Sequence, residues 1–567
     1  MSTAKRVYFY LVYFITLCIF SSGVVMLLRV CFDIIIKHPA AAQIGAQSFV
    51  GEMLSLGLAM LVIGGVLWFL FLRAIQRSTS GNITETGSAI RKLFMNIILA
   101  VSAIVGLFAA VDFLEWLMAG ALQNRFPSEG LSMLIVTSVV LYYHWRNEEG
   151  EGQPSPAAKK LRRWYIYLLS GFGLVSLSVG LVGFINAAIL NLPIWGAPII
   201  SGKFWDSSVH NNLGWILAGG SAWAFYWFRM AKGDIDSTLR QVYLYLLSIL
   251  GGSIVGLVAL TTSLYRVFRF ALGSLSVLTD TYFQFLGWAI PTMLVTAAIW
   301  VYHQRVAQEE AVQVQERQLS ARRIHSYIMS FLGIGTLIAG LIILVGILVE
   351  MLIYTVSSAP MVITSGWWRD QIAICLALLV VATPIWLYYW NSVLQMVAEG
   401  GVAERRARSR RIFLYVILGV AVITLAADLV NIMYQLLNGV LQGTLGIDVL
   451  RRSKWSLQTV VVAVPVLMYF WRILSQDQRM GAEVAAVRKT VTMLVSDSAV
   501  GLVSLIEEKL GYKVRTLQYL GQMPEDFTVL SDEEVTRLAD DIKAISSTNV
   551  MLIAVEGRTM VLPYREK

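Results

Sequence analysis

Arg162-Arg163-Trp164-Tyr165-Ile166-Tyr167, running on through apolar residues to Leu190, decides the fold, because the same opening returns along the chain. Lys5-Arg6-Val7-Tyr8-Phe9-Tyr10 and Arg91-Lys92-Leu93-Phe94-Met95-Asn96 come before it, and later openings start at Arg240, Arg322 and Arg410 and reach Tyr245, Tyr327 and Tyr415. Each opens a long apolar helix, and after each a second apolar helix returns and closes on aromatic residues. Fixed-period self-similarity settles architecture ahead of any local motif. It predicts an all-α polytopic membrane protein with about 12 transmembrane helices in six repeated hairpins.

Composition agrees. Of 567 residues, 57% are hydrophobic and only 14% charged, and the mean hydropathy is +0.66. A soluble chain of this length needs far more charged surface, so a lipid bilayer is the first partner expected. Cys18, Cys31 and Cys375 stand far apart in apolar runs, which suggests neither a disulfide framework nor a metal site. The N-terminus has the basic start of a signal peptide, but it lacks a small-residue cleavage site and its apolar run is long enough to span. It reads as an uncleaved first span.

The odd-numbered helices are expected near 7–36, 89–121, 162–190, 239–271, 322–356 and 409–440, and the even ones near 53–72, 128–145, 211–230, 283–303, 370–390 and 455–474. The odd ones exceed the roughly 20 residues that cross a bilayer, so they must tilt or project. The fourth helix, Leu131 to Trp145, has the shortest apolar run. Lys and Arg number 23 on the side of the N-terminus and return loops, against 10 on the other. That excess predicts a multi-pass protein of the cell membrane with both termini cytoplasmic. The densest basic stretch, Arg405 to Arg411, is a topology signal and a candidate site for anionic lipid.

From about residue 480 the chain turns soluble, with 10 basic and 13 acidic residues between Ala482 and Lys567. Strands are expected at Thr490–Val495 and Arg515–Leu520, a helix from Ala499 to Leu510 ended by Gly511, and a helix opened by the capping box Ser531-x-x-Glu534. A hairpin follows, Val550–Val555 and Thr559–Pro563 around Glu556-Gly557-Arg558. This makes a small C-terminal cytoplasmic α/β domain, a candidate for binding a cytoplasmic protein. No feature points to nucleic acid.

Within the repeat, Thr16, Ser102, Gly173, Gly251, Gly333 and Ala421 are aligned small residues. Seven further on stand Gly23, Ala109, Gly180, Val258, Gly340 and Asp428. Two turns apart on one face, they predict close helix packing, against which a glycine-lined path is the alternative. The aromatic endings carry Trp145, Trp227, Trp390 and Trp471, with His144 and His303 aligned. They fit a head-group belt, the alternatives being a cage for a cationic ligand and histidines that sense pH. Pro291, Pro384 and Pro465 lie inside the last three even helices and predict kinks, which in transporters mark binding sites.

Toward the opposite ends of the odd helices lie Arg29, Asp33, Asp112, Glu115, Asn186, Arg266, Glu350, Asp428 and Asn431. Their offsets from the tyrosine position place most of them on one helical face. Such groups are candidates for function when they lie inside a bilayer. Depth favours a solvated or mutually paired rim, with an outward-facing vestibule as the alternative. Asp428 lies nearest mid-bilayer and is the best single candidate.

No Walker, zinc-protease, Cys-x-x-Cys or nucleophile-elbow motif is present. Without them ATP-driven transport by this chain and metal hydrolysis have no support, and no catalytic residue, metal or cofactor is expected. The basic-x-aromatic-x-Tyr opening, together with endings such as Tyr143-His144-Trp145-Arg146, resembles the DUF5671 family of uncharacterised bacterial membrane proteins. The resemblance implies four-helix units, hence three tandem copies, 1–150, 151–312 and 313–479, before a tail at 480–567. Tryptophan is lost at Leu72 and Gln304, and tyrosine at Asn96. The resemblance carries no activity. Two functions remain: a membrane-anchored scaffold or sensor that presents the tail, and a secondary transporter or channel for a small solute or ion.

Overall fold

The structure, a computed structural model, describes residues 3–36, 46–80, 83–120, 126–150, 155–192, 204–235, 237–273, 282–311, 315–356, 367–487, 490–495, 500–511, 513–518, 532–545, 547, 549–555 and 558–564. Lys37, Arg125 and Lys203, the capping Ser531 and the turn residues Glu556 and Gly557 lie outside these. The chain divides into two units, residues 1–389 and 390–567.

The helices are α1 (Thr3–Ile35), α2 (Ala46–Thr79), the single turn α3 (Ile83–Thr86), α4 (Ala89–Met118), α5 (Ser128–Gly150), α6 (Pro156–Leu190) and α7 (Ser207–Ala224). They continue with α8 (Thr238–Gln241), α9 (Gly251–Ala271), α10 (Leu286–Ala311), α11 (Gln315–Val356), α12 (Trp367–Arg405), α13 (Arg408–Leu441) and α14 (Ile447–Val487). Local chemistry sets the starts. Ser155 caps α6 by accepting from the Ala158 amide at 3.3 Å, with Pro156 in the first turn, and Asp206 caps α7 through the Val209 amide at 3.0 Å.

Each expected span overlaps a helix, and among the described residues ten helical segments are long and apolar enough to cross a membrane. The expectation of about twelve exceeds this by α5 and α7. α5 carries His144, Arg146, Glu148 and Glu149 in its last turns, and α7 holds His210, Asn211 and Asn212. Among the described residues two stretches are π-helical, Phe225–Met230 at the end of α7 and Val242–Leu250 between α8 and α9. Wider turns of this kind cluster at functional positions. The helix runs on through Pro291, Pro384 and Pro465.

The small residues mark close helix approach. A Cβ on Gly23 would lie 2.6 Å from the Leu61 amide, on Gly173 2.6 Å from the Trp223 amide, and on Gly180 2.7 Å from Ile216. Gly333 meets Trp386 at 2.9 Å and Gly340 meets Leu379 at 3.0 Å, while the Cys375 thiol donates to the Gly340 carbonyl at 3.4 Å. The contacts are reciprocal: Gly64 abuts Phe20 and Gly219 abuts Leu177. Lipid gives apolar faces no gradient, so backbone-to-backbone packing must hold these pairs. Gly251, beside a π-helical stretch, meets nothing closer than 3.8 Å.

In the second unit the tail forms a four-stranded sheet, β1 (Thr490–Val495), β2 (Arg515–Gln518), β3 (Asn549–Val555) and β4 (Arg558–Pro563), in the order β2-β1-β3-β4. β1 runs parallel to β2 and β3, and β3 pairs antiparallel with β4, Val550 opposite Pro563. Val491, Met493, Val550 and Leu552 point one way and pack under α15 (Val500–Leu510) and α16 (Asp532–Ala544), through Ile506, Val535 and Ile542. Gly511 ends α15 with φ 72°.

Candidate functional site

Polar chemistry concentrates at the end of the helices that bears the basic return loops. Arg91, Arg240 and Arg410 occupy the same place in three openings, and all three are buried, at 8%, 8% and 1% exposure. Arg240 donates through Nε and Nη2 to Glu310 at 2.6–2.9 Å and through Nη1 to the Ala231 carbonyl at 2.8 Å, and its guanidinium lies 4.5 Å over the Trp227 ring. Arg410 donates to Asp477 at 2.5 Å, which also accepts from Arg405 at 2.8 Å. Arg91 donates to the Tyr10 hydroxyl at 3.1 Å and stacks over its ring. Desolvating a guanidinium is offset only by such paired, hydrogen-bonded geometry.

The repeat extends to the acids. Glu310 and Asp477 stand seven residues beyond the aligned His303 and Phe470, and Glu151, outside the described residues, has the same spacing from His144. A second pair recurs nearby: Arg6 with Glu85 at 2.7 Å and Arg163 with Asp234 at 2.6 Å, where Tyr167 also donates to Asp234 at 3.0 Å. Arg323 and Glu404 are the aligned residues of the third copy. Hydrogen bonding to Arg6 holds the Glu85 carboxyl down at about 2, against the cost of its burial. Of the Arg405–Arg411 stretch, two arginines therefore serve Asp477, and Arg411 donates to the Arg406 carbonyl at 2.8 Å.

The expected aromatic belt divides. Trp471 is 60% exposed and Trp145 is half-buried, its ring edge-on to Phe225. Trp227 and Trp390 instead lie buried between helices. Trp227 donates to the Tyr302 hydroxyl at 2.8 Å and stacks on Tyr243 at 4.8 Å; Trp390 donates to Tyr469 at 2.6 Å and stacks on Phe413 at 5.6 Å. The cation over the Trp227 face is the chain's own Arg240. His144 is buried, with Nδ1 donating to the Val140 carbonyl at 2.7 Å and Nε2 facing the Tyr13 hydroxyl at 2.9 Å. His303 repeats the first contact, with Ile299 at 2.8 Å, but Ser170 aligns with Tyr13, and the Nε2 of His303 and the Ser170 hydroxyl have no partner among the described residues. A carbonyl can only accept, so Nδ1 carries the proton in both.

At the opposite end the candidate residues are drawn into contacts across helices. Arg29 pairs with Glu129 at 2.5 Å, Glu115 accepts from Asn211 at 2.8 Å, and Asn431 donates to Ser456 at 2.9 Å. Asp112 lies against Gly130, and a Cβ on Gly287 would stand 2.6 Å from Asn186 Oδ1. Arg266 lies 5.0 Å over the Phe285 ring, while Asp33 and Glu350 are half-buried. Asp428 is half-buried too, and its Oδ2 is out of solvent without a partner among the described residues. Arg269 with Asp370 at 2.7 Å is a further pair that sequence spacing did not single out. The buried arginine nodes were missed as well; the signal for them was the acid seven residues past the aligned aromatic.

No curated protein and no solved structure matches the chain. The family model for a domain of unknown function (DUF5671) matches residues 6–131, 163–294 and 323–452. These three regions begin at or beside Arg6, Arg163 and Arg323, the arginines of the repeated opening, and together cover well over half the chain: it belongs to the DUF5671 family, as three tandem copies.

Proposed function

We propose that the chain is a closed membrane body of twelve spans in six hairpins, with both termini and the return loops in the cytoplasm of a cell membrane. Its role is that of a scaffold or sensor that presents the tail domain to a cytoplasmic protein partner. The carrying observation is where the polar side chains go. Arg29, Glu115 and Asn431 are spent on partners from neighbouring helices, as are Arg240 and Arg410 at the basic end. Interhelical polar contacts lock a bundle; a conduit needs them turned to water or substrate. The basic loops also suit an anionic leaflet, and in the Arg405–Arg411 stretch Arg408 is the arginine best placed to meet it.

Deleting residues 480–567 tests this reading. The truncated chain is expected to fold in the membrane yet reproduce the phenotype of losing the whole protein; full complementation by the truncated chain ends the reading. The second reading, a secondary transporter or channel, is favoured by the Asp428 Oδ2, which has no partner among the described residues. Solute flux in proteoliposomes that disappears in Asp428→Asn would favour it instead.

A further inference from the structure

A cavity of about 660 Å³ opens between the first and second copies, within the first unit. α4 lines it from Leu99 to Leu114, α5 from Leu134 to Glu148 and α7 from Leu217 onward. Fifteen residues at a 1.5 Å rise make the slot roughly 22 Å long, most of the way across one hydrocarbon core. Its shaft is mostly apolar, with Ser102, Ser138 and Ser221 also in the lining, and the Thr137 hydroxyl within it is spent on the Met133 carbonyl at 2.7 Å. The charged lining residues, Glu148 and Arg162, both stand at the basic end.

That mouth has unused polar capacity. Arg163 is bound to Asp234, but its neighbour Arg162 has no carboxylate partner among the described residues. Lys159 and Lys160, on the preceding turn of α6, are exposed. The Tyr165 and Tyr226 hydroxyls, also in the lining, lie 2.8 Å apart. Two hydroxyls bring two protons, and one hydrogen bond between them uses only one. The second can be donated to a third oxygen.

We propose that this slot binds one anionic phospholipid from the leaflet on the basic side. One acyl chain fills the shaft, and the phosphate lies on Arg162 and the tyrosine pair. Charge complementarity selects the occupant, with Arg162 and the exposed Lys159 and Lys160 set against the single lining carboxylate of Glu148: an apolar tail longer than a side chain, ending in an oxyanion where a guanidinium and a free hydroxyl proton meet. The volume lies within the range of small-molecule sites. Because the slot joins two copies, a bound lipid would bridge them. The proposal needs membrane residence and not the scaffold role, so the outcome of the tail deletion does not bear on it.

The test uses the full chain, delipidated in detergent and examined by native mass spectrometry with dioleoyl-phosphatidylglycerol, dioleoyl-phosphatidylcholine or glycerol phosphate added. Phosphatidylglycerol is expected to bind best. Arg162→Gln should weaken it about tenfold, the scale of one charge-assisted contact, with Arg162→Lys restoring most of it. Ala103→Phe, which fills the shaft, should weaken both lipids. Equal binding of the two lipids, unchanged binding in Arg162→Gln, or equally strong competition by glycerol phosphate would each overturn the proposal. If Ala103→Phe does not fold, a phosphatidylglycerol with a diazirine on its acyl chain decides with the unmodified protein. Crosslinks at Ala103, Ser138 or Ala218 support the slot, and crosslinks confined to other helices overturn it.

Discussion

Arg240, at the opening of one helix, grips Glu310 at 2.6 Å, 70 residues away at the end of another, with the guanidinium seated on Trp227. Arg410 and Asp477 repeat the arrangement in the third copy. These are clamps that join α8 to α10 and α13 to α14. Breaking a fully buried pair costs about 3–5 kcal/mol; Glu310 keeps 18% exposure, so Glu310→Gln should cost about 2 kcal/mol. Asp477, at 7%, should cost more. Denaturant unfolding in detergent micelles checks the order, and an unchanged midpoint for Asp477→Asn would remove the clamps from the stability account.

Glycine at position 173 is required by space. A Cβ there would stand 2.6 Å from the Trp223 amide, a backbone atom that cannot swing aside. Gly173→Ala should therefore destabilise by about 1–3 kcal/mol through overpacking. Gly335 has nothing within 4 Å, and Gly335→Ala should be neutral or stabilising by up to about 1 kcal/mol. Thermal unfolding of both variants gives the comparison.

Trp227 and Trp390 each spend their indole proton on a tyrosine, Tyr302 and Tyr469. Removing the acceptor leaves a buried donor unmade, so Tyr302→Phe and Tyr469→Phe should each cost about 1–2 kcal/mol. In the first copy Leu72 replaces the tryptophan, and Tyr143→Phe should cost less than about 0.5 kcal/mol. Equal effects in all three would contradict the hydrogen-bond assignment.

Glu85 supplies a pH dependence. Its carboxyl titrates at about 2 beside Arg6, below the ordinary 4.5. A depressed carboxylate contributes stability that is complete above the unfolded value and is lost as pH falls through the folded one. The stability difference between the parent and Glu85→Gln should thus be flat from pH 7 to 5 and shrink from about pH 4.5 toward 2. Intrinsic-fluorescence unfolding across that range measures it; a difference that grows on acidification would reverse the assignment.

Long apolar helices and the repeat were legible in the chain because both are carried by local pattern: length, hydropathy and the recurring Arg-x-aromatic openings. The tail was legible for the same reason, β1 and the stop at Gly511 being matters of alternation and one positive φ. What the pattern hid was sidedness around each helix. Trp227 and Trp471 have similar neighbours in sequence, yet one is buried against Tyr243 and the other faces outward. Only the packing of a distant helix separates them. The basic residues misled similarly. Arg91, Arg240 and Arg410 count toward the topology excess, but the acids that bury two of them lie some 70 residues on. α5 and α7 mark the other limit, since their polar turns make length and hydropathy insufficient to place them in a membrane.

Accessibility of single cysteines in intact cells tests the topology on which the whole account stands. With Cys18, Cys31 and Cys375 replaced, cysteine is placed at Lys232, on a basic return loop, or at Gly443, in the turn between α13 and α14. A membrane-impermeant thiol reagent should label the Gly443 variant directly and the Lys232 variant only after permeabilisation. Labelling of Lys232→Cys from outside, with Gly443→Cys protected, would contradict the proposed arrangement.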